Sequence, residues 1–196
     1  NECKNIRSVL EYAKKVSGPY VIKISWKHIA HKTELGWVIG PIYTEDEIIS
    51  AYNMIEWNME KYLPNEKMEW VSIGRYIISS PTIELFFGAK RDPIFGETFI
   101  IGAGGIFLTI LDDTRIHIGK WDVPTILSIL ESLRSYPALC GYRKQQKANI
   151  GTLAKMLFQL SELFFAHPEI YEIDINPILL ENGEPCIADT KLYLES

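Results

Sequence analysis

The sequence predicts an α+β fold in which antiparallel strands and helices are interspersed. Segments with a helical spacing of apolar residues alternate along the chain with segments of strand-like alternation. The strand-like segments occur in runs, which favours antiparallel pairing over a doubly wound parallel sheet. Near the C-terminus, the strand-like segments 171–180 and 185–194 flank an Asn182–Gly183 turn, which is typical of a β-hairpin.

The first elements along the chain are a helix and two strands. Apolar residues at helical spacing over 6–16 predict an amphipathic helix, which Gly18–Pro19 ends. Residues 20–25 predict a strand and residues 37–42 a second one. The segment between them, 26–36, is polar and irregular.

A capping box marks the start of the next helix. Thr44 and Glu47 have the spacing at which a hydroxyl caps the backbone and a glutamate three residues on reaches back. We expect this helix to end near Tyr62. Two strands, 71–79 and 83–89, are then predicted from alternating apolar residues.

The second half of the chain contains two more strands and two helices before the hairpin. Residues 98–101 and 106–111 predict strands around a cluster of glycines. Asp122 is a helix cap, since a proline follows in the first turn. Residues 136–148 predict a loop, and a long helix is expected over 149–166.

Composition places the chain among ordinary globular proteins. Hydrophobic residues make up 47% of the 196 residues and charged residues 23%. This length suffices for one large domain or two small lobes. With 20 basic and 25 acidic residues the net charge is −5, the opposite sign from that expected of a nucleic-acid binder.

The cysteines and the hydropathy of the chain indicate the cellular compartment in which we expect it. The three cysteines, Cys3, Cys140 and Cys186, are scattered and form no C-x-x-C pair, which favours a reducing cytoplasm. The longest apolar run, 99–111, has 13 residues including three glycines. It is too short to span a bilayer, so we expect no membrane association.

A lysine and two histidines form the first candidate site. Lys23 lies on a predicted strand, and the loop after it contains His28, His31 and Lys32. Such a lysine is more often an edge or snorkelling residue. A strand lysine followed by a His-Lys loop also suits phosphate binding, and a neutral histidine is a nucleophile that can accept a phosphoryl group.

The glycine cluster Gly102–Gly105 is the second candidate. The dinucleotide-binding pattern G-x-G-x-x-G is excluded because Phe107 occupies the last glycine position and a strand, not a helix, is predicted to follow. Glycines within a pair of strands more often indicate a close approach of backbones, or of backbone to a ligand.

The C-terminal hairpin is the third candidate. Asp174 and Asn176 lie two residues apart and therefore on one face of a strand. A turn at Asn182–Gly183 would place Asp189 opposite Asn176, with Lys191 on the same face. Two oxygen ligands, completed by phosphate and water, suit Mg²⁺. The alternative is a pair of polar residues on a solvated face, and the sequence leaves both open.

Seven short motifs occur along the chain in the order typical of one family. They are Val21-Ile-Lys-Ile-Ser25, His31-Lys-Thr-Glu34, Glu84-Leu-Phe-Phe-Gly-Ala-Lys-Arg-Asp-Pro-Ile-Phe-Gly96, Gly102-Ala-Gly-Gly-Ile-Phe107, Tyr136-Pro-Ala-Leu-Cys-Gly-Tyr-Arg143, Asp174-Ile-Asn-Pro177 and Ala188-Asp189. Over essentially its whole length, the chain resembles the ATP-grasp β subunit or domain of ADP-forming acyl-CoA (acetyl-CoA) synthetases, relatives of succinyl-CoA synthetase.

The resemblance implies an ATP-grasp fold with two lobes, an N-terminal one over 1–70 and a C-terminal one over 71–196 that contains the metal-binding hairpin. It implies that Asn176 and Asp189 are Mg²⁺ ligands. The positions that it assigns to nucleotide binding are Lys23, Lys32, Ile78, Glu84, Gly104 and Gly105.

The implied reaction converts acyl-CoA, ADP and phosphate to acid, CoA and ATP through an acyl phosphate and a phosphohistidine. His31 matches the histidine that carries the phosphoryl group toward ADP. The expected ligands are ATP or ADP and Mg²⁺. Because CoA binding belongs in this family to a separate α subunit or domain, we expect a cytoplasmic hetero-oligomer with a CoA-binding α subunit.

The sequence departs from the family at several places, among them positions 109, 117 and 76–79. Thr109 stands where a glutamate is usual, His117 where an arginine is expected, and 76–79 where a carboxylate near the adenine is common. At the last place the adenine would be bound by backbone groups around Ile78. A second hypothesis is therefore a divergent, weakly active or inactive ATP-grasp subunit that serves as a nucleotide sensor or structural partner.

Overall fold

The chain divides into two compact units, each with its own antiparallel sheet and hydrophobic core. The computed structural model describes residues 1–25, 36–65, 68–78, 84–105, 112–142 and 146–195. The N-terminal unit is Asn1–Tyr76 and the C-terminal unit is Ile77–Ser196. Strand pairing in both sheets is antiparallel, which confirms the predicted α+β class.

The described residues of the N-terminal unit form four strands and two helices. Its strands are β1 (Glu2–Cys3), β2 (Tyr20–Ser25), β3 (Val38–Ile42) and β4 (Trp70–Arg75), in the spatial order β1-β4-β2-β3. Its helices are α1 (Ile6–Ala13) and α2 (Glu45–Tyr62). The capping box is confirmed, because the Glu47 amide donates to Thr44 Oγ1 over 3.2 Å and the Thr44 amide donates to Glu47 Oε2 over 3.3 Å.

The division between the units follows from the pairing of β4. All six β4 residues pair with β2, from Tyr20 opposite Arg75 to Ser25 opposite Trp70. The expected strand 71–79 therefore ends earlier, at Arg75, and belongs to the N-terminal sheet. The boundary lies after Tyr76 rather than near residue 70, since the hydrogen bonds to β2 hold this segment in the first sheet.

A six-stranded sheet forms the centre of the C-terminal unit. Its strands are β5 (Leu85–Asp92), β6 (Gly96–Ala103), β7 (Thr114–Ile118), β8 (Ile170–Glu181), β9 (Glu184–Ile187) and β10 (Thr190–Leu194). The order is β10-β8-β5-β6-β7, and β9 also pairs with β8. The predicted C-terminal hairpin is confirmed, although its returning segment is divided into β9 and β10.

In the described part of this unit, three helices accompany the sheet: α3 (Val123–Glu131), α4 (Tyr136–Leu139) and α5 (Ile150–Ala166). The predicted cap of α3 is confirmed, since Asp122 accepts from the Thr125 amide over 2.8 Å. The long helix α5 is also confirmed, with Asn149 as its N-cap. The expected loop 136–148 is partly wrong because it begins with α4. Within the described ranges, no helix is long and apolar enough to cross a membrane.

Strand β7 is absent from the sequence-based prediction. It pairs with β6 along its whole length, from Thr98 opposite Ile118 to Gly102 opposite Thr114. In its five residues an arginine and a histidine alternate with a threonine and two isoleucines, so the alternation gives a weak signal for an apolar face. The strand expected over 106–111 lies outside the described residues.

The helices pack against one face of the C-terminal sheet. Phe87, Phe99 and Phe164 are fully buried in this core. The Phe99 ring stacks on Trp121 with 5.0 Å between centroids, and it lies near Phe87 at 6.1 Å. Since strand residues alternate between faces, the neighbours of Phe87 and Phe99 point to the opposite face.

Arg91 joins the end of β5 to the end of α5. Its guanidinium donates to the carbonyl oxygens of Phe164 (2.7 Å), His167 (3.2 Å) and Ile170 (3.0 Å). It also pairs with Glu97 at 2.8 Å and lies over the Phe164 ring. The last carbonyls of a helix lack intrahelical partners, so a cation placed here satisfies them and interacts favourably with the helix dipole. Arg91 is therefore a structural residue.

We predict that Arg91→Ala lowers the free energy of unfolding by about 2–3 kcal/mol, because several charge-assisted hydrogen bonds are lost at a mostly buried site. Urea unfolding monitored by circular dichroism measures this. Lys90→Ala is the matched control, since the neighbouring lysine is half exposed and makes one ion pair, with Glu172. Equal losses in the two variants would contradict the assignment.

Candidate active site

Six of the nine residues assigned to the site lie in the C-terminal unit: Ile78, Glu84, Gly104, Gly105, Asn176 and Asp189. Lys23 lies in the N-terminal unit. His31 and Lys32 lie outside the described residues. Ile78 is 62% exposed, and the structure gives its side chain no contact that supports the assignment.

The side chains of interest on β8 project from the sheet face opposite the helices. Ile173 and Ile175 are buried in the core with α3 and α5. Asp174 lies between them and therefore points the other way. Across the sheet, Asp174 pairs with Gly88 of β5 and with Lys191 of β10.

Asn176 lies at a bulge in β8. The three residues 85–87 of β5 are opposite four residues of β8, because Phe87 pairs with Ile175 and Leu85 pairs with Ile178. A bulge places an extra residue in one strand and reorients its side chain, and bulges are common beside active sites. Pro177, which has no amide hydrogen to donate, is tolerated at such a position. Asn176 is accordingly exposed between two buried isoleucines.

Asp189 lies opposite Asn176, as the hairpin predicted. The Asn176 amide donates to the Asp189 carbonyl oxygen over 3.2 Å. On either side of this pair, Ile175 faces Thr190 of β10 and Ile178 faces Ile187 of β9. The ladder is interrupted at residues 188–189, so the half-buried Asp189 occupies the break between the two returning strands.

Lys191 forms an ion pair on the same face of the sheet. Its ammonium lies 3.5 Å from Asp174 Oδ2, and each side chain is 38% exposed. A half-exposed pair of this kind contributes little to stability. The lysine partly neutralises Asp174, which stands two residues from Asn176.

The glycine segment brings Glu84 next to Asn176. The Gly104 amide donates to the Glu84 carbonyl oxygen over 2.6 Å. A Cβ atom at Gly104 would lie 3.5 Å from Glu84 Cβ and 3.6 Å from Asn176 Oδ1. At Gly105, which has a φ of +60°, a Cβ atom would lie 3.0 Å from Glu84 Oε2. The expected close approach at the glycines is confirmed, and four of the assigned residues converge at this edge.

The donor set at this edge fits a magnesium ion. Asn176 carries an amide oxygen, and Glu84 and Asp189 carry carboxylate oxygens. These are the ligand types that Mg²⁺ prefers. In the described part of the chain, no group of three or more His, Cys, Asp and Glu side chains could hold a metal by itself. A metal here would therefore depend on oxygens from water and from a bound ligand.

Asp113 is a buried residue of this region whose role was not predicted from the sequence. Its side chain is fully buried and accepts hydrogen bonds from the Arg134 and Ser135 amides at 2.8 and 2.7 Å. Burial alone would raise its pKa, but the hydrogen bonds from Ser135 and Arg134, with the charge of Arg115, hold the pKa below its ordinary value. A carboxylate that follows a segment of glycines and apolar residues gives no sequence signal of this kind.

His117 has a packing role. It faces Phe99 across the β6–β7 pair, and its ring stacks on Trp121 with 5.6 Å between centroids. Its Nε2 lies 3.2 Å from the Lys120 carbonyl oxygen. These contacts place the histidine on the helix side of the sheet. Thr109, the other replaced position in this region, lies outside the described residues.

A cavity of about 550 Å³ lies elsewhere in the C-terminal unit, where the tip of the β8–β9 hairpin meets the start of α5. Its lining includes Tyr136, Lys147, Asn149 and Gly183. None of the assigned site residues lines it. The residues that the sequence assigns to the site in this unit therefore lie outside this cavity.

The whole chain matches known proteins. A family model described as an ATP-grasp domain matches residues 2–194. The β subunit of ADP-forming acetate–CoA ligase I from Pyrococcus furiosus is 31% identical over 191 residues, which cover 97% of this chain and 82% of that subunit. The chain is an ATP-grasp domain of the ADP-forming acetate–CoA ligase family.

Solved structures share this ATP-grasp fold. The dinucleotide-forming acetyl-coenzyme A synthetase 1 of Candidatus Korarchaeum cryptofilum, in complex with coenzyme A and Ca-AMPCP, superposes with a TM-score of 0.90 at 25% identity, covering 100% of this chain and 85% of that one. A second structure of the same synthetase contains Mg-AMPPCP and has its phosphohistidine segment pointing towards the nucleotide-binding site (TM-score 0.80, 24% identity, covering 100% and 84%).

Longer relatives contain the ATP-grasp domain as one part. The ADP-forming acetate–CoA ligase of Methanocaldococcus jannaschii is 32% identical over 196 residues, covering 96% of this chain but 27% of that protein. The chain therefore spans most of a ligase β subunit and about a quarter of the longer relative.

We predict that Gly105→Ala destabilises the chain more than Gly96→Ala. Both glycines have positive φ, so both substitutions incur the left-handed strain of about 1–2 kcal/mol. Only the Gly105 substitution also crowds Glu84, because nothing lies within 4 Å of a Cβ atom at Gly96. Urea unfolding gives the two losses.

The same comparison in a Glu84→Ala background tests the cause. Removing the Glu84 carboxylate should abolish the excess loss at Gly105, since contacting residues are energetically coupled and distant ones are not. An excess that persists without Glu84 would show that crowding by this side chain is not its origin.

Proposed function

We propose that this ATP-grasp domain is the nucleotide-binding β subunit of an ADP-forming acyl-CoA synthetase. It exchanges a phosphoryl group between ADP/ATP and a histidine, His31, within the overall conversion of acyl-CoA, ADP and phosphate to acid, CoA and ATP. The observation that carries this proposal is the convergence of Glu84, Gly104, Gly105 and Asn176, with Asp189 paired to Asn176, at one edge of the sheet.

The nature of phosphoryl transfer supports the assignment. This reaction depends on positioning and on neutralising charge more than on covalent chemistry. Asn176 and Asp189 would hold Mg²⁺, which neutralises phosphate charge when bound. The glycine backbone allows a ligand to approach the sheet edge closely. Lys23 is assigned to phosphate binding because its ammonium group is positively charged.

His31 is the proposed acceptor of the phosphoryl group. A neutral imidazole nitrogen attacks the terminal phosphorus of ATP, a P–N bond forms as the P–O bond to ADP breaks, and ADP leaves with the bridging oxygen. The reverse transfer makes ATP. The phosphohistidine segment of the related Korarchaeum synthetase supports this role.

The proposal includes a CoA-binding α subunit as partner. The Pyrococcus relative is named a β subunit, which indicates that it works with another chain. The longer Methanocaldococcus ligase has room for such a part within one chain. A cytoplasmic hetero-oligomer is therefore proposed for this chain, and the acid that it uses would be selected by the partner.

A divergent subunit with weak or no transfer activity is the second candidate. It is favoured by two family positions that are occupied differently here, Thr109 and His117. His117 stacks on Trp121 at the helix side of the sheet, where it contributes to packing. Such a subunit would bind nucleotide as a sensor or structural partner without forming phosphohistidine.

Phosphoryl labelling tests the transfer step. Wild-type chain incubated with γ-labelled ATP and Mg²⁺, with the α subunit co-expressed, should acquire a phosphate that is labile to acid and stable to base. We expect His31→Ala to remain unlabelled while it still binds ADP, because Lys23, Asn176 and Asp189 are intact. His28→Ala is the matched control and should label normally.

The labelling outcomes separate the candidates. Label that survives in His31→Ala but is lost in His28→Ala would move the role to His28. Absence of label in the wild type, together with normal ADP binding, would support the sensor or structural role and overturn the transfer step.

Magnesium dependence tests the metal ligands. We expect Asp189→Ala to weaken ADP binding by about tenfold or more in Mg²⁺ and little in EDTA, since a charged ligand contributes about 1.5–3 kcal/mol. Lys23→Ala should weaken binding in both conditions, because its charge acts on phosphate directly. Calorimetric titration gives the constants. Equal losses for Asp189→Ala with and without metal would exclude it as a ligand.

A further inference from the structure

The end of β6 is fixed from the helix side of the sheet by a single buried carboxylate. Asp113 is fully buried, and its two carboxylate oxygens accept from consecutive amides, Arg134 and Ser135, at 2.8 and 2.7 Å. Arg115 lies 3.7 Å from the same carboxylate. These amides belong to the corner between α3 and α4, so the side chain joins the start of β7 to the helical layer.

The main chain of Asp113 holds the last residues of β6. Its carbonyl oxygen accepts from the Ala103 amide over 3.1 Å. The two backbones are so close that a Cβ atom at Gly102 would lie 2.5 Å from the same carbonyl oxygen. This contact leaves no room for the end of β6 to shift toward β7.

The next residue after Ala103 begins the candidate active site. Gly104 donates to the Glu84 carbonyl oxygen, and a Cβ atom at this position would lie 3.6 Å from Asn176 Oδ1. A continuous series of contacts therefore runs from the helix corner through Asp113 and Ala103 to Gly104. Each contact is short, and interiors packed at this density transmit a displacement rather than absorb it.

We propose that Asp113 is a positioning residue for the candidate active site at the end of β6. Its buried carboxylate sets the position of Gly104 and Gly105 against Glu84 and Asn176, and with it the affinity for Mg·ADP. The effect of Asp113 on the affinity for Mg·ADP rests on the proposed function. Its effect on the position of Gly104 does not.

The test compares two aspartates whose carboxylates each accept from two backbone amides, Asp113 through both oxygens and Asp92 through one. Asp92 accepts from the Ile94 and Phe95 amides at 2.8 and 2.9 Å, at the opposite end of the β5–β6 hairpin. Asp113→Asn and Asp92→Asn therefore each weaken a carboxylate that receives two amides. Only the first lies next to Gly104.

Two measurements are made on folded protein, well below the thermal transition of each variant. Amide hydrogen exchange by NMR reports the hydrogen bond from Gly104 to Glu84. Calorimetric titration reports the dissociation constant for Mg·ADP. In Asp113→Asn we expect Gly104 to exchange about tenfold faster and Mg·ADP to bind about tenfold more weakly. In Asp92→Asn both quantities should stay within about twofold of wild type.

A milder variant keeps the proposal testable if Asp113→Asn fails to fold. Arg115→Gln removes the nearby cation and keeps the Asp113 carboxylate, so it should change both quantities in the same direction by a smaller factor. Unchanged Gly104 exchange in these variants would overturn the proposal. Faster exchange with wild-type affinity would overturn the role in binding and leave Asp113 a structural residue.

Failure of the proposed function gives a different result. If the wild type binds no nucleotide while Asp113→Asn still accelerates exchange at Gly104, the function is wrong and the positional coupling stands. Acceleration of equal size in Asp92→Asn would show general loosening of the sheet and would also overturn the proposal.

Discussion

The close approach of main chains at the end of β6 is the constraint on which the candidate active site depends. A Cβ atom at Gly102 would collide with the Asp113 carbonyl oxygen, and a Cβ atom at Gly104 would touch Glu84 and Asn176. No side chain larger than hydrogen fits at Gly102 without moving backbone, since the nearest atom would be 2.5 Å from a Cβ. Because these distances are set by backbone atoms, the position of Glu84 relative to Asn176 follows from the sheet itself.

The buried face of the C-terminal sheet makes that geometry rigid. Phe87, Phe99 and Trp121 form a stacked group beneath the strands, and Phe164 from α5 closes it. Arg91 then attaches the end of α5 to β5. The strands that carry the polar residues are thereby held by a packed layer on one side, while the other side remains available for polar chemistry.

Much of the fold could be predicted because it depends on local signals. Helix α2 follows from the Thr44 capping box, α3 from the Asp122 cap, and the final hairpin from its Asn-Gly turn. Counting residues along that hairpin was enough to place Asp189 opposite Asn176. The motifs carried the family resemblance, which the family match confirms. The roles that the resemblance assigns to individual residues stay predictions.

The parts that were missed depend on contacts between residues distant in sequence. Strand β7 has polar residues on its helix-facing side, so its alternation does not indicate a strand until Trp121 and Ser132 are known to pack there. The end of β4 and the boundary at Tyr76 follow from pairing with β2, some fifty residues earlier. Asp113 is hidden for the same reason, since its partners are amides 21 and 22 residues away.

The alternation along β8 has a consequence for how the sequence can vary. A slip of one residue in its pairing would turn Asp174 into the core and expose Ile173 and Ile175, so the isoleucines fix the register for both faces. Asp174 and Asn176 contribute nothing comparable to fixing the register of β8. A lineage could therefore replace Asp174 or Asn176 and keep the fold, while changes to the isoleucines would cost it the fold and the site together. In this sheet, the polar residues that would carry the chemistry can vary, whereas the isoleucines that hold the register cannot.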